Sequence, residues 1–461
     1  MEKSRSRRWV QMISRCSVTV AFTRVPNLWS NSTFLNAGGS LVAMSLFGMH
    51  NQARRLQPVR AYSSSPMDQH NRSVERIADS VRRFYKHGEP FRVQHGSTNS
   101  TRPRRHNHVV DISDLSNVLK VDVEKRIALV EPNVPMDRLV EATLPFGMVP
   151  PVVMEFPGIT AGGGYAGTAG ESSSFKYGFF DRTTNSVEMV LANGDVTTAS
   201  ETQNSDLFRG AAGAVGTLGI TTLLELQLIP AKMYVKATYH PKRCVADTIR
   251  LVKEETNNPT NDYVDGILFS KDHGVVVTGT MTDEKPSETQ VQTFSRSRDP
   301  WYYLHVKDKT QDVTSPVTEY IPLAEYLFRY DRGGFWVGAS SFDYFKFPFN
   351  KFTRWFLDDF LNTRMKWLYA HSYYTEDEFW QQFDKEWYDD LRKKYHAQSL
   401  PNVYDKVAVD VEAGRKEIRE SWSHWVKSKR PLGGLWGIYK AIKSREYMIA
   451  RTSAWKKWDI H

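Results

Sequence analysis

Two short runs in this sequence combine small residues, hydroxyls and glycines in a way that suits an anionic ligand. The first is His95, Gly96, Ser97, Thr98, Asn99 and Ser100. The second is longer: Thr160, Ala161, Gly162, Gly163, Gly164, Tyr165, Ala166, Gly167, Thr168, Ala169, Gly170, Glu171 and Ser172. Glycine has no Cβ to hold a ligand away from the backbone. Successive N–H groups in such turns form concave nests for phosphate oxygens. A pyrophosphate could therefore rest against one or both runs. The second run does not satisfy G-x-G-x-x-G, and no acidic residue about twenty positions on completes a Rossmann site. The structural alternative is a tight turn packed beneath a sheet, and the residues alone leave both readings open.

The surrounding elements read as a mixed α+β domain. Residues 69–87 place Val74, Ile77, Val81 and Phe84 on one helical face. Short apolar runs at 91–93, 109–112 and 127–130 read as strands, and a helix follows Pro135 over 136–144. From Gly158 to Pro230 glycine-rich turns alternate with apolar strands, at 187–191 and 219–229. Leu224, Leu226 and Leu228 share one face of the latter, and the Asn-Gly pair of Ala192–Asp195 predicts a turn between strands. The order is not a regular βαβ array. Beyond Pro230 the pattern becomes strand, helix, strand, strand (234–239, 245–255, 266–270, 274–280). Residues 300–370 are dense in aromatics with weak periodicity, 375–396 read as one helix, and 402–407 close the pattern.

Charge is unevenly spread. Residues 1–66 carry nine of the Lys and Arg residues and one acid, which leaves a net charge of only +1 on the other 395 residues. A near-neutral body gives no argument for nucleic acid as a partner. The basic, Ser-rich and acid-poor 1–66 segment has the profile of a mitochondrial presequence. It reads equally as linker preceding a start at Met67. Its apolar run 38–49 falls short of the ~20 residues that cross a membrane. The two cysteines, Cys16 and Cys244, predict neither a disulfide framework nor a metal site, as in a reduced, intracellular protein. Residues 408–461 interleave twelve Lys/Arg with Trp422, Trp425, Trp436, Trp455 and Trp458. This basic, Trp-rich tail suits peripheral contact with a membrane surface. The favoured reading is a solvated helical extension that packs its aromatics against the body.

Taken together, the linked motifs resemble a known family. Gly158–Val196 is similar to the FAD-binding core of the p-cresol methylhydroxylase and vanillyl-alcohol oxidase type. The motifs in order are the glycine-rich run, Tyr177-Gly178, Val190–Gly194, Ser205–Phe208 and Gly216–Ile220. Ile229–Lys236, Val264–Ser270, Val275–Glu284, Glu319–Trp336 and Tyr374–Tyr395 narrow the resemblance to the delta(24)-sterol reductases, over about residues 70–407. The resemblance implies a p-cresol methylhydroxylase-type split FAD-binding domain with an α/β cap. It implies NADPH as electron donor and a sterol, or another bulky apolar molecule, as substrate for reduction at C24–C25.

By position, Thr160–Ser172 corresponds to the main FAD stretch and His95–Ser100 to the pyrophosphate loop, with Gly216 and Gly219 in the third motif. The expected division is presequence-like 1–66, FAD-binding domain 67–230, cap 231–370, a returning segment 371–407 and the tail 408–461. The passage from Met365 to a strand at 366–369 is abrupt, so a shortened cap is expected. His95 precedes its loop, and histidine-linked relatives place theirs at the far end, so the FAD is expected to be noncovalent. A proton donor is needed near the ring, and Lys176, Tyr177 and Glu171 are the candidates beside the FAD stretch. The resemblance also implies membrane association at the endoplasmic reticulum, and an oxidase of the vanillyl-alcohol type or an inactive flavin-binding paralogue are the alternatives.

Overall fold

The computed structural model describes residues 65–95, 108–288, 290–357 and 374–408, with individual residues between 422 and 439. The 1–64 segment, the loop at 96–107, the 365–369 junction and most of the tail lie outside the described residues.

The chain enters on helix α1 (Pro66–Lys86). Ser65 and Asp68 form a reciprocal capping box at its start, which satisfies two of the otherwise unpaired N–H groups there. Val74, Ile77 and Val81 are buried as their spacing predicts, together with Ala78, and Phe84 stacks on Phe91 at 5.7 Å. Two strands, β1 (Arg92–Gln94) and β2 (Val109–Asp111), pair in parallel beside this helix.

Five antiparallel strands form the first sheet, in the order β3-β4-β8-β6-β7. Their ranges are β3 (Val118–Asp122), β4 (Ile127–Val130), β6 (Thr184–Val190), β7 (Val196–Ser200) and β8 (Ile220–Gln227). β8 alternates buried and half-buried residues, with Leu224 and Leu226 fully enclosed, the period expected of a sheet with one face on a core. The Asn-Gly turn between β6 and β7 is present, with Gly194 at φ +88° against α1. Between β4 and β6 lie α2 (Met136–Thr143), strand β5 (Met148–Val149, paired with β9, Ile229–Pro230), α3 (Ala161–Ala166) and α4 (Ser174–Tyr177). Helix α5 (Ser205–Ala211) joins β7 to β8.

The second sheet is also antiparallel, in the order β11-β12-β10-β13. It comprises β10 (Tyr234–Lys242), β11 (Tyr263–Ser270), β12 (His273–Thr282) and β13 (Val317–Pro322). Helix α6 (Val245–Glu255) covers one face through Val252, which packs on Val264 and Val276. The other face carries an aromatic layer of Tyr239, Phe294, Trp301, Tyr302, Tyr303, Tyr326 and Tyr330, all buried. It is supplied by α7 (Tyr302–Thr310), α8 (Leu323–Leu327) and the turn after α8, and it is continuous with the core of the first sheet. Helices α9 (Trp336–Phe345) and α10 (Lys351–Phe356) follow. No helix among the described residues is long and apolar enough to cross a membrane.

The expected single helix over 375–396 is two, α11 (Glu376–Trp380) and α12 (Lys385–Lys394). The cause is local: the Asp384 side chain accepts from the Trp387 N–H and starts a new helix. Helix α12 packs on the first sheet's connections. Tyr388 Oη donates to Thr217 Oγ1 at 2.7 Å, Arg392 donates to Thr217 O at 3.0 Å, and Tyr395 Oη donates to Asp206 at 2.7 Å. Helix α13 (Val403–Val407) follows and sends Lys406 to the carbonyl of Val215.

Candidate functional site

The Thr160–Ser172 run is not the open turn its composition suggested. Thr160 Oγ1 accepts from the Gly163 N–H at 3.2 Å and caps α3, so the three consecutive glycines are helical. Most of the N–H groups of this run are engaged within the protein rather than left open as a nest. Ala161 donates to Val134 O, Gly162 to Pro132 O, Gly164 to Thr160 O, Gly167 to Gly163 O and Ala169 to Gly164 O.

The glycines divide by what they touch. A Cβ at Gly162 would lie 2.7 Å from Pro132 Cβ, and one at Gly164 would lie 2.4 Å from Met154 Cε. A Cβ at Gly170 would press into the Phe179 ring. These three are small because the protein packs against them. Gly163 and Gly167 are exposed, and the nearest atoms to their missing Cβ atoms belong to the run itself, Thr160 Oγ1 at 3.1 Å and Gly163 O at 3.0 Å. They form a bare backbone edge that a flat ligand can approach.

The remaining residues of the run hold that edge in place. Ala161 and Tyr165 are buried, and Tyr165 Oη donates to Phe208 O at 2.7 Å, fixing α3 on α5. Ala166 O accepts from the Val215 N–H at 3.0 Å. Thr168 (φ +47°) sits against Gly213 (φ +79°), beside Val215 (φ +51°) and Gly216 (φ +73°). A β-branched residue in the left-handed region is strained, and such strain collects at ligand sites. Gly219 is instead a packing position, with Met189 Cε and Val190 O against it. Lys406 reaches from α13 to Val215 O, and its charge, after burial, holds the His95 imidazole below its ordinary pKa. Arg92 adds to this effect. Burial and the charge of Lys406 thus favour the neutral His95 ring. Gly96, Ser97, Thr98, Asn99 and Ser100 lie outside the described residues.

At its other end the run enters a buried charged cluster. Glu171 accepts from the N–H groups of Glu155 (2.8 Å) and Ser172 (3.2 Å). Arg329 Nη2 donates to Glu155 Oε1 (2.9 Å), Ser172 Oγ (3.3 Å) and Asp265 Oδ2 (3.4 Å). Tyr330 Oη donates to Asp265 Oδ2 at 2.9 Å. The Arg329 guanidinium lies over the rings of Tyr326, Tyr330 and Tyr302 at 4.3, 4.9 and 5.4 Å, which offsets part of its desolvation. Ser172 O accepts from the Val264 N–H of β11 at 2.9 Å, so the cluster joins the two sheets. Burial pushes the Glu171 carboxyl up to about 7, against the pull of Arg329. Burial and the neighbouring Glu171 push Glu155 up as well. The pair therefore holds a proton near neutral pH, the behaviour expected of two carboxyls sharing a dry site.

Of the three proposed proton donors, only Glu171 stands in this cluster. Lys176 is paired with Asp262 at 2.8 Å, an interaction that holds it protonated, although burial works the other way. Tyr177 is half-buried beside it, with the Lys176 ammonium 5.6 Å from its ring. Sequence reasoning missed Glu155, Asp265, Arg329 and Lys406. Arg329 lies within the Tyr-Leu-Phe-Arg-Tyr-Asp-Arg-Gly-Gly stretch, where an arginine among aromatics was the available signal.

Residues 70–200 match the family described as FAD binding domain, and that match spans α1 through β7, including the bare edge of α3. The chain therefore carries an FAD-binding domain. It is 37% identical over 224 residues to the delta(24)-sterol reductase of Homo sapiens, covering 48% of this chain and 43% of that one. Against the delta(24)-sterol reductase of Pisum sativum it is 31% identical over 271 residues, 55% of this chain and 47% of the relative. A delta(24)-sterol reductase homologue of Caenorhabditis elegans is 28% identical over 297 residues, 60% and 56%. Over these stretches the chain is a homologue of the delta(24)-sterol reductases, within the FAD-binding superfamily. It spans about half the length of these curated relatives.

Proposed function

We propose that this chain is an FAD-dependent oxidoreductase that reduces the C24–C25 double bond of a sterol side chain with NADPH. The observation that carries the reading is the extent of the match. The 224 residues aligned with the human sterol reductase exceed the FAD-binding domain, so the likeness continues beyond the part that many flavoproteins share.

The residues fit the cofactor. The backbone edge at Gly163 and Gly167 has no side chain to displace, and the strained Val215–Gly216 loop lies beside it. Lys406 reaches that loop, and its charge acts on His95; the two would stand on the polar side of the bound molecule. We infer noncovalent attachment, with His95 as a neutral polar neighbour. Bound FAD supplies hydride chemistry between NADPH and the alkene. Saturating the double bond then consumes one further proton. The Glu155–Glu171 pair holds one at a carboxyl oxygen, in a site that Arg329 keeps positioned and the aromatic layer keeps dry. The work would be done at an intracellular membrane, where a sterol resides.

The test is anaerobic incubation of the full chain with FAD, NADPH and a Δ24-sterol, with the products analysed by mass spectrometry, beside an aerobic incubation with an aryl alcohol in which peroxide is assayed. The expected result is one NADPH consumed per saturated sterol, without peroxide. Peroxide released from an aryl alcohol with no sterol reduced would instead make the protein an oxidase of the vanillyl-alcohol type. Tightly bound FAD with no turnover of any Δ24-sterol would make it an inactive flavin-binding paralogue.

A further inference from the structure

The loop at 213–217 stands in a conformation that needs outside support. Gly213 (φ +79°), Val215 (φ +51°) and Gly216 (φ +73°) lie in the left-handed region, and Val215 is β-branched. Such a backbone persists only where its surroundings over-determine it. Here the surroundings come from far along the chain. Tyr388 Oη, on α12, donates to Thr217 Oγ1 at 2.7 Å from 171 positions away. Arg392 Nη1, one turn further, donates to Thr217 O at 3.0 Å, and Lys406 on α13 donates to Val215 O.

These grips are themselves braced. The Val403 N–H donates to Tyr388 Oη at 2.9 Å, and Arg392 also donates to Leu400 O (2.7 Å) and Pro401 O (3.1 Å). Helices α12 and α13 are thereby joined at the two side chains that hold Thr217. Leu391 fills the space beside Gly210, where its Cδ1 would lie 2.4 Å from an added Cβ, so α12 closes directly on α5. On the other side of Thr217 the bonds lead to the glycine-rich run. Thr217 Oγ1 donates to Ala214 O at 2.7 Å and closes the turn. Inside that turn the Val215 N–H donates to Ala166 O at 3.0 Å, at the end of α3. Ala166 adjoins Gly167 and the bare edge. Tyr388 and Thr217 are both buried, so they reach a ligand on that edge only through the loop.

We propose that Tyr388 and Arg392 are positioning residues for the flavin. Helices α12 and α13 form a clasp that sets the 213–217 loop and, through it, the Gly163–Gly167 edge, so that cofactor binding and docking of the clasp stabilise one another. The inference rests on the reading of that edge as the cofactor surface. A clasp with a purely structural role would stabilise the free and bound protein equally and leave the affinity for FAD unchanged. A positioning clasp changes the affinity, and by linkage bound FAD steadies the clasp by the same factor.

The experiment is FAD titration of the full chain by fluorescence quenching, joined to hydrogen exchange read by mass spectrometry with and without FAD. In the wild type, FAD should slow exchange across residues 388–407 at least about fivefold more than across α6, on the second sheet, whose slowing reports global stabilisation alone. The Val403 amide is the sharpest reporter, because its acceptor is Tyr388 Oη. Tyr388→Phe and Arg392→Met should each raise the Kd for FAD at least about fivefold and abolish the extra protection. Arg392→Lys retains a cationic donor and should recover part of the affinity. Urea unfolding establishes that each apoprotein is folded where it is titrated, and the wild-type exchange measurement needs no substitution at all. Wild type that binds FAD with no more protection at 388–407 than at α6 overturns the clasp and leaves the cofactor reading standing. Folded Tyr388→Phe and Arg392→Met variants with wild-type Kd do the same. Wild type that binds no FAD overturns both.

Discussion

Replacing Gly163 with valine separates the two readings of the glycine-rich run. Gly163 is exposed on α3, and an added Cβ meets only Thr160 Oγ1, at 3.1 Å. Glycine and valine are both poorer helix formers than alanine, so the exchange should alter folding stability by no more than about 0.5 kcal/mol. The same side chain would stand on the bare edge assigned to the cofactor. It should weaken FAD binding by at least tenfold, or about 1.4 kcal/mol. Gly162→Ala provides the contrast, because its Cβ would lie 2.7 Å from Pro132 Cβ and 3.0 Å from Pro132 O, a rigid neighbour. That overpacking should cost about 1–3 kcal/mol of stability. Urea unfolding of each apoprotein and FAD titration by fluorescence quenching measure the two quantities separately. If Gly163→Val folds and binds FAD with wild-type affinity, the edge is not a cofactor surface and the reasoning fails.

The other predictions address the charged clusters. His70 lies buried between Glu131 (2.9 Å) and Glu188 (3.2 Å), whose hydrogen bonds and charges outweigh desolvation and raise it to about 9. Its stabilisation is complete below pH 6.5 and is lost as pH rises through 9; at 1.36 kcal/mol per unit it amounts to about 3 kcal/mol, and His70→Ala should remove this part of the pH slope in urea titrations. Arg329→Leu leaves Glu155 and Asp265 buried without their cation, and should cost about 3–5 kcal/mol by thermal or urea unfolding. Glu171→Gln should retain FAD yet slow sterol reduction by about 10²–10⁴-fold, and the wild-type rate should fall as pH rises through about 7; an unaltered rate removes Glu171 from proton transfer. Tyr388→Phe deletes a hydroxyl that donates to Thr217 and accepts from the Val403 N–H, and should cost about 1–3 kcal/mol of stability.

What could be read from the sequence was what local pattern controls. Val74, Ile77 and Val81 announced α1, the leucine alternation announced β8, and residues 245–255 were read to the residue as α6. Strand β3 escaped because none of its residues is fully buried, so no alternation marked it. The break between α11 and α12 depended on one capping aspartate inside an otherwise helical pattern. The glycine run was recognised, but its donors could not be counted in advance, because their acceptors at Pro132 and Val134 lie in another segment. The Glu155, Glu171, Asp265 and Arg329 cluster is assembled from residues up to 174 positions apart, so its perturbed carboxyls exist only in the folded chain. Glu171 was named for its nearness to the glycines, and the structure supplies the physical reason for its interest.

The most direct measurement for the central claim is the flavin content of the full-length chain after equilibration with FAD and removal of excess cofactor. The account predicts about one FAD per chain, released unmodified on acid denaturation, and a loss of bound flavin in Gly163→Val that leaves the fold intact. A folded protein that remains colourless at every FAD concentration would contradict it.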